Sequence, residues 1–171
     1  MLEKFYPDER CRSAYEIDYE DWYRRGKRGL IFDIDNTLVH HGAPATEKAA
    51  GLFQRLHEIG FHSSIISNNS RPRVKEFADA VGCNYQYRAG KPNPKGYLAA
   101  CEEMGTSPAE TLFIGDQIFT DVWGARRAGI YSILVEPLYW KEEPQIILKR
   151  RLEWFVLRSY EKDRAKRENN G

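Results

Sequence analysis

The sequence lacks the features that mark membrane-spanning, disulfide-stabilised or low-complexity proteins. No stretch approaches the roughly 18 consecutive apolar residues of a membrane-spanning helix, and the N-terminus has no apolar segment of the signal-peptide kind. The three cysteines, Cys11, Cys83 and Cys101, are odd in number and fit no metal-ligand or redox spacing, so we expect reduced thiols. These absences predict a cytoplasmic protein that is at most peripheral on the inner face of a membrane.

The composition is that of one globular domain. The chain has 171 residues, 42% of them apolar, and a formal charge of +1, which is too small to make the whole protein attract nucleic acid. The charge is uneven, because residues 149–167 hold eight Lys or Arg against three Asp or Glu. We expect a single domain over residues 1–162, with an N-terminal arm at 1–27, a basic helix at 143–162 and a polar tail at 163–171.

Short apolar runs alternate with segments of helix length. The predicted order is strand Gly29–Asp33, helix Thr46–Ile59 with a Thr cap, strand His62–Ser67, helix Pro72–Val81, strand Tyr85–Arg88, helix Pro94–Met104, strand Thr111–Asp116, helix Val122–Ala128 and strand Tyr131–Val135. Such alternation implies right-handed parallel crossovers. The pattern therefore predicts an α/β protein, with a Rossmann-like three-layer α/β/α architecture and a mainly parallel sheet.

Reactive side chains stand where the predicted strands end. Asp33, Ser67 and Asp116 each close a strand, and Lys91 closely follows another, so all four should meet at one sheet edge, where α/β folds bind ligands. A carboxylate that attacks phosphorus needs the phosphate charge neutralised, which Mg²⁺ with oxygen ligands can do. Further carboxylates come from Asp35 and Asp121, a positive charge for phosphate from Lys91, and a hydroxyl donor from Ser67.

These residues resemble the four signature motifs of the haloacid dehalogenase (HAD) superfamily. The first motif, Asp-x-Asp-x-Thr, is matched by Asp33 to Thr37, the second by Ser67, the third by Lys91, and the acidic fourth by Gly115-Asp116 with Asp121. The resemblance implies a phosphatase with Asp33 as nucleophile and Asp35 as general acid and then base. The implied phosphate-binding residues are Thr37, Ser67, Asn68 and Lys91, and the implied Mg²⁺ ligands are Asp33, Asp35 through its carbonyl, Asp116 and Asp121.

The lengths between motifs leave no room for a cap domain. Only Val39 to Ala45 follows the first motif, and Ser70 to Gly90 accommodates one helix and one strand. We therefore expect a capless HAD core with an open site, which suits a bulky or membrane-bound phosphomonoester. The chain is also similar to the YqeG-type members of subclass IIIA, which resemble mitochondrial phosphatidylglycerophosphate phosphatases. That likeness implies a phospholipid substrate, and a soluble nucleotide or sugar phosphate stays an alternative.

The C-terminal segment and four residues near the motifs each allow two interpretations from the sequence. The apolar and basic residues of 145–162 fit either a helix on a membrane surface or one that packs on the sheet with its charges in solvent. A binding module that docks a partner through this basic segment is a rival to the enzyme, whereas no nucleic-acid-reading motif accompanies it. The histidines His40 and His41 fit substrate contact or an exposed loop, and the arginines Arg71 and Arg73 fit a second phosphate or solvent.

Overall fold

Six parallel strands form one sheet in the computed structural model, which describes residues 1–139 and 144–169. The strands are β1 (Glu9–Cys11), β2 (Gly29–Phe32), β3 (His62–Ile66), β4 (Asn84–Gln86), β5 (Thr111–Gly115) and β6 (Tyr131–Val135). Their order is β1-β6-β5-β2-β3-β4, and every neighbouring pair is parallel. The predicted α/β class and parallel sheet are confirmed, and β2 lies inside the sheet between β3 and β5.

Helices connect the strands, and most begin and end at residues that the sequence marks. They are α1 (Tyr19–Arg24), α2 (Glu47–Ile59), α3 (Arg71–Val81), α4 (Pro94–Met104), α5 (Trp123–Arg127) and α6 (Pro144–Asn169), with short 3-10 turns at Glu3–Phe5 and Pro108–Glu110 and a π-helical turn at Ile118–Val122. The side chain of Thr46 caps α2 by accepting a hydrogen bond from the Ala49 N–H. The same helix stops at Gly60, whose φ of +117° favours glycine.

The two faces of the sheet bury separate apolar clusters. Along β2, Leu30 and Phe32 face the side covered by α1, α2 and α3, while Ile31 faces the side covered by α4 and α5. The largest fully buried side chains, such as Tyr19, Tyr97 and Phe113, fill these layers. This alternation follows from the two-residue period of a strand, and it leaves β2 apolar throughout because both faces are covered.

The helix α6 lies against the N-terminal segment and the turn after β5. Val156 is 3% exposed and packs in a third cluster with Tyr6, Ile118, Val122 and Leu134. The Tyr6 hydroxyl oxygen also lies 2.8 Å from Asp163 Oδ2. One side of α6 is therefore built into the fold.

Two parts of the chain differ from the sequence-based prediction. The arm at 1–27 contains β1 and α1, neither of which was predicted; β1 is a three-residue edge strand formed by pairing with β6. The helix α6 continues to Asn169, so residues 163–169 of the predicted polar tail are helical, and Arg164 pairs with Glu168 one turn later. Residues 143, 170 and 171, which belong to the predicted basic helix and tail, lie outside the described residues.

No cap domain lies in either of the segments that follow the first and second motifs, both of which the structure describes in full. The segments 33–46 and 67–93, both fully described, contain turns, one isolated bridge between Asp35 and Val39, and the elements α3 and β4. Within the described part of the chain, none of the helices combines the length and the apolar character needed to cross a bilayer. The capless core predicted from the loop lengths is confirmed.

A helix-cap pair tests the local account of α2. Replacing Thr46 with Ala removes the acceptor for the Ala49 N–H, so the free energy of unfolding should fall by about 1 kcal/mol. Ser70 occupies the same cap position of α3 but makes no side-chain cap bond, so Ser70→Ala should change stability by less than about 0.5 kcal/mol. Urea denaturation measures both, and equal losses for the two variants would contradict the assignment.

Candidate active site

Four separate segments place polar side chains at the carboxyl edge of the sheet. Asp33 follows β2, Ser67 follows β3, Asp116 follows β5, and Lys91 lies between β4 and α4. Because the strands are parallel and β2 is flanked by β3 and β5, the segment after β2 lies between the other two. All four side chains are buried or nearly so. The predicted convergence of these residues is what the sheet order produces.

Lys91 joins two of the carboxylates. Its Nζ lies 2.7 Å from Asp33 Oδ1 and 2.6 Å from Asp121 Oδ1, and its side chain is only 5% exposed. Asn68 holds the lysine backbone on both sides, because its Oδ1 accepts from the Lys91 N–H at 2.8 Å and its Nδ2 donates to the Lys91 carbonyl at 3.4 Å. In this structure Asn68, predicted to bind phosphate, therefore positions Lys91.

A glycine allows Asp121 to approach the backbone. Asp121 Oδ2 accepts hydrogen bonds from the N–H groups of Asp116, at 3.2 Å, and Gln117, at 3.1 Å. A Cβ at Gly115 would lie 2.6 Å from that same oxygen, so a larger residue would displace the carboxylate. The π-helical turn at Ile118–Val122 brings Asp121 back beneath the end of β5. The Gly-Asp pair and the later Asp thus act as one structural unit.

Three carboxylates form a buried cluster. Oxygen atoms of Asp33, Asp116 and Asp121 all lie within 4.8 Å of one another. Burial and the neighbouring charge of Asp121 raise the pKa of Asp116 to about 6, and burial raises the pKa of Asp33 well above its ordinary value despite Lys91. Burial alone would lower the pKa of Lys91, but Asp121 and Asp33 together raise it.

The donor set of this cluster suits a hard divalent cation. All three groups offer carboxylate oxygens, and together they carry more negative charge than Lys91 offsets. Added positive charge at this point would offset the repulsion between the carboxylates, which adds to burial in raising the pKa values of Asp33 and Asp116. Asp33, Asp116 and Asp121 are therefore residues that can hold a metal ion.

Two of the predicted phosphate-binding hydroxyls are also buried here. Ser67 is 2% exposed, lines the cleft, and accepts a hydrogen bond from the Asn69 N–H at 3.1 Å, which leaves its own proton available for donation. Thr37 instead donates to Asp116 Oδ1 at 3.2 Å. In this arrangement Thr37 orients a metal-ligand candidate, whereas the Ser67 hydroxyl lines the cleft.

Asp35 is not part of the three-carboxylate cluster and has hydrogen-bond partners of its own. It accepts hydrogen bonds from Asn69 Nδ2 at 2.6 Å, the Gly42 N–H at 2.8 Å and Arg73 at 3.0 Å. Burial opposes ionisation, but these donors outweigh it and lower the pKa of Asp35. The sequence allowed Arg73 to contact either a second phosphate or solvent, and the structure makes it a partner of Asp35. Sequence analysis had no signal for this pair, which joins α3 to the first motif.

The helix α6 contributes residues that sequence analysis missed. Arg150 donates to Asp116 Oδ2 at 2.5 Å and to the Asp116 carbonyl at 2.7 Å, and it pairs with the buried Glu153 at 3.0 Å. Glu153 in turn accepts from the Ile118 N–H at 2.8 Å. The sequence showed Arg150 only as one cation in a basic segment, because nothing local indicates which face of α6 meets the end of β5.

An open cleft of about 200 Å³ lies over these groups. Its lining residues are Asp33, Asp35, Asn36, His41, Ser67, Asn68, Asn69, Lys91, Gln117, Thr120 and Lys149. His40 points elsewhere, with its ring in contact with Tyr139. A larger cleft of about 760 Å³ lies between the N-terminal segment and α6, but Arg126 and Asp8 in it already pair with each other. The smaller cleft is the one with the reactive groups.

Known proteins resemble this chain in sequence and in fold. The family model of haloacid dehalogenase-like hydrolases matches residues 40–129, more than half of the chain. The chain is 39% identical over 140 residues to "Probable phosphatase YqeG" of Bacillus subtilis, covering 81% of each protein. It is 29% identical over 164 residues to "Phosphatidylglycerophosphate phosphatase 1, chloroplastic/mitochondrial" of Arabidopsis thaliana, covering 86% of this chain and 47% of that protein.

A solved structure shares the architecture at low sequence identity. An uncharacterized protein from Listeria monocytogenes serotype 4b has a TM-score of 0.54 and 17% identity, over 68% of this chain and 85% of that one. At this identity the likeness concerns the fold alone.

The contact between Arg150 and Asp116 can be tested without turnover. Arg150→Met leaves a buried carboxylate without its guanidinium, so metal-free protein should lose about 1–3 kcal/mol of unfolding free energy at pH 7. Arg158→Met, on the exposed side of the same helix, should cost less than about 0.5 kcal/mol. Denaturation with EDTA measures both variants.

The same two variants show whether Arg150 compensates the charge of the carboxylate cluster or only helps α6 to pack on the core. Saturating Mg²⁺ supplies positive charge to Asp116 and should reduce the difference between Arg150→Met and wild type. A loss that Mg²⁺ leaves unchanged would indicate that Arg150 stabilises only the packing of α6.

Proposed function

The chain belongs to the haloacid dehalogenase-like hydrolases and is a phosphatase, and from this premise we propose that it hydrolyses a phosphomonoester through an aspartyl-phosphate on Asp33. The observation that carries the proposal is the buried contact of Asp33 with Lys91 beside Asp116 and Asp121. A carboxylate nucleophile can split one difficult displacement into two easier ones. The rival interpretation, a binding module, would have no need of this buried charge cluster.

The side chains around Asp33 have distinct tasks in this proposal. Asp33, Asp116 and Asp121 with the Asp35 carbonyl would hold the metal, for which Mg²⁺ is the proposed ion. When bound, the ion supplies positive charge that offsets the repulsion between carboxylate and phosphate. Lys91 and Ser67 hold the phosphoryl oxygens, with Asn68 and Thr37 fixing the positions of Lys91 and Asp116.

Asp35 moves the protons in both halves of the proposed reaction. An Asp33 oxygen bonds to phosphorus while the ester P–O bond breaks, and the leaving oxygen takes a proton from Asp35. Water then attacks phosphorus and gives a proton to Asp35, and the bond from Asp33 to phosphorus breaks to release inorganic phosphate. The donors that lower the pKa of Asp35 favour its base form, and the charge of a bound phosphate would raise that pKa for the acid step.

We propose phosphatidylglycerophosphate as the substrate. The absence of a cap leaves the cleft open to a large molecule, and a relative that matches 86% of this chain bears the name of that activity. A phospholipid substrate would bring a cytoplasmic protein to the inner face of a membrane, and we propose peripheral contact there through residues 145–162.

Replacing the nucleophile should abolish turnover. Asp33→Asn keeps the size of the side chain but removes the attacking charge, so kcat on an aryl phosphate with Mg²⁺ should fall by at least about a thousandfold. Asp79→Asn, at an exposed position of α3, is the matched control and should keep the wild-type rate. Wild-type turnover by Asp33→Asn would rule out the proposed mechanism.

The proposed substrate is tested by comparing rates on lipid and soluble phosphates. Rates on phosphatidylglycerophosphate in mixed micelles should exceed those on a panel of sugar phosphates and nucleotides by about tenfold or more in kcat/KM. EDTA should abolish activity on every substrate, since the carboxylate cluster then lacks its cation. A soluble phosphate that outperforms the lipid would replace the substrate and leave the chemistry of Asp33 intact.

A further inference from the structure

The outer side of α6 exposes an unusual amount of apolar surface. Five large apolar side chains of this helix are between 44% and 63% exposed, although single exposed residues are ordinary in a folded protein. They are Ile147, Leu148, Leu152, Trp154 and Phe155. Two of them contact each other, because the ring centres of Trp154 and Phe155 lie 5.1 Å apart in an edge-to-face arrangement.

Packing on the core accounts for only part of this apolar surface. The inner side of α6 already contacts the protein through Val156 and Glu153, which are 3% and 4% exposed. With 100° per residue, Leu148 and Phe155 lie on the far side of the helix from this contact, whereas Leu152, one turn before Val156, lies at its edge. A helix with one side on the core and one in water needs no second apolar side.

Charge on the same outer side is mainly positive. Arg151, Arg158 and Lys162 are exposed there, whereas of the two acidic residues in this stretch Glu153 is buried and Glu161, which is exposed, pairs with Arg10 of β1. The Arg158 guanidinium lies 5.2 Å from the centre of the Trp154 ring. Between residues 147 and 162 the outer side therefore combines apolar and aromatic side chains with an excess of cations.

This combination selects among possible occupants. A second copy of the chain would bring like charges together across a two-fold axis, and nucleic acid would leave the apolar residues without a partner. A bilayer with anionic headgroups meets both requirements, because its surface attracts cations and its interface accepts Trp, Phe and Leu side chains.

The outer side of α6 is also next to the cleft. Lys149 lines the cleft and Arg150 contacts Asp116, while the flanking residues Leu148 and Arg151 point outward. We propose that the outer side of α6 seats on an anionic lipid surface and holds the mouth of the cleft at the level of the headgroups. The docking follows from the surface of α6 alone, whereas its use in presenting a lipid phosphate rests on the proposed function.

Vesicle binding tests the docking separately from catalysis. Full-length protein should sediment with vesicles of phosphatidylcholine and phosphatidylglycerol, weakly or not at all with phosphatidylcholine alone, and less at high salt. Leu152→Ser with Phe155→Ser should weaken binding to the anionic vesicles by about tenfold or more. The matched control, Leu98→Ser with Tyr87→Ser, alters two exposed apolar residues elsewhere and should bind like wild type.

Turnover of an aryl phosphate separates the two proposals. It should be unchanged in both double variants, because neither touches the cleft, so a failure of docking is distinguishable from a failure of the phosphatase mechanism. Vesicle binding that survives Leu152→Ser with Phe155→Ser, or its absence in wild type, would overturn the docking. A wild-type dimer in light scattering that becomes a monomer in this double variant would likewise overturn the docking. It would show that the surface binds a second copy of the chain.

Discussion

The burial of three carboxylates at one sheet edge is the constraint on which the rest of the site depends. Asp33, Asp116 and Asp121 lie too close together to be ionised without compensation, as their separation within 4.8 Å shows. The fold compensates with Lys91 between two of them, Arg150 on the third, and backbone N–H groups on Asp121. The remaining negative charge is what makes a divalent cation suitable there.

This compensation draws on segments that are remote in sequence. The lysine comes from the loop before α4, and the arginine comes from α6 near the end of the chain. The sheet order β6-β5-β2-β3-β4 makes their meeting possible, because it places the loop that carries Asp33 between those of its neighbours. Topology therefore sets the electrostatics: residues of opposite charge are brought together by parallel strand pairing rather than by local sequence.

The elements that could be predicted from the sequence are those whose signals lie within a few neighbouring residues. The strand at β2, the Thr46 cap and the whole of α4 were predicted because apolar periodicity and caps act within a few residues. The strand β1 was missed because pairing with β6, and not its own charged residues, forms it. The same holds for Arg73 and Arg150, whose partners Asp35 and Asp116 lie in other segments. Their sequence neighbourhood indicates only exposed basic helices.

The two sides of α6 link the surface of the protein to its buried charge. A single helix carries Arg150 on a carboxylate of the cluster and, within a turn, the exposed Leu148, Arg151 and Leu152. An α-helix is stiff over so short a length, so the inner and outer side chains of this turn keep fixed positions relative to each other. The group that meets Asp116 and the groups of the proposed docking surface therefore belong to one rigid element. The helix α6 thus contributes to the site on one side and to the proposed docking surface on the other.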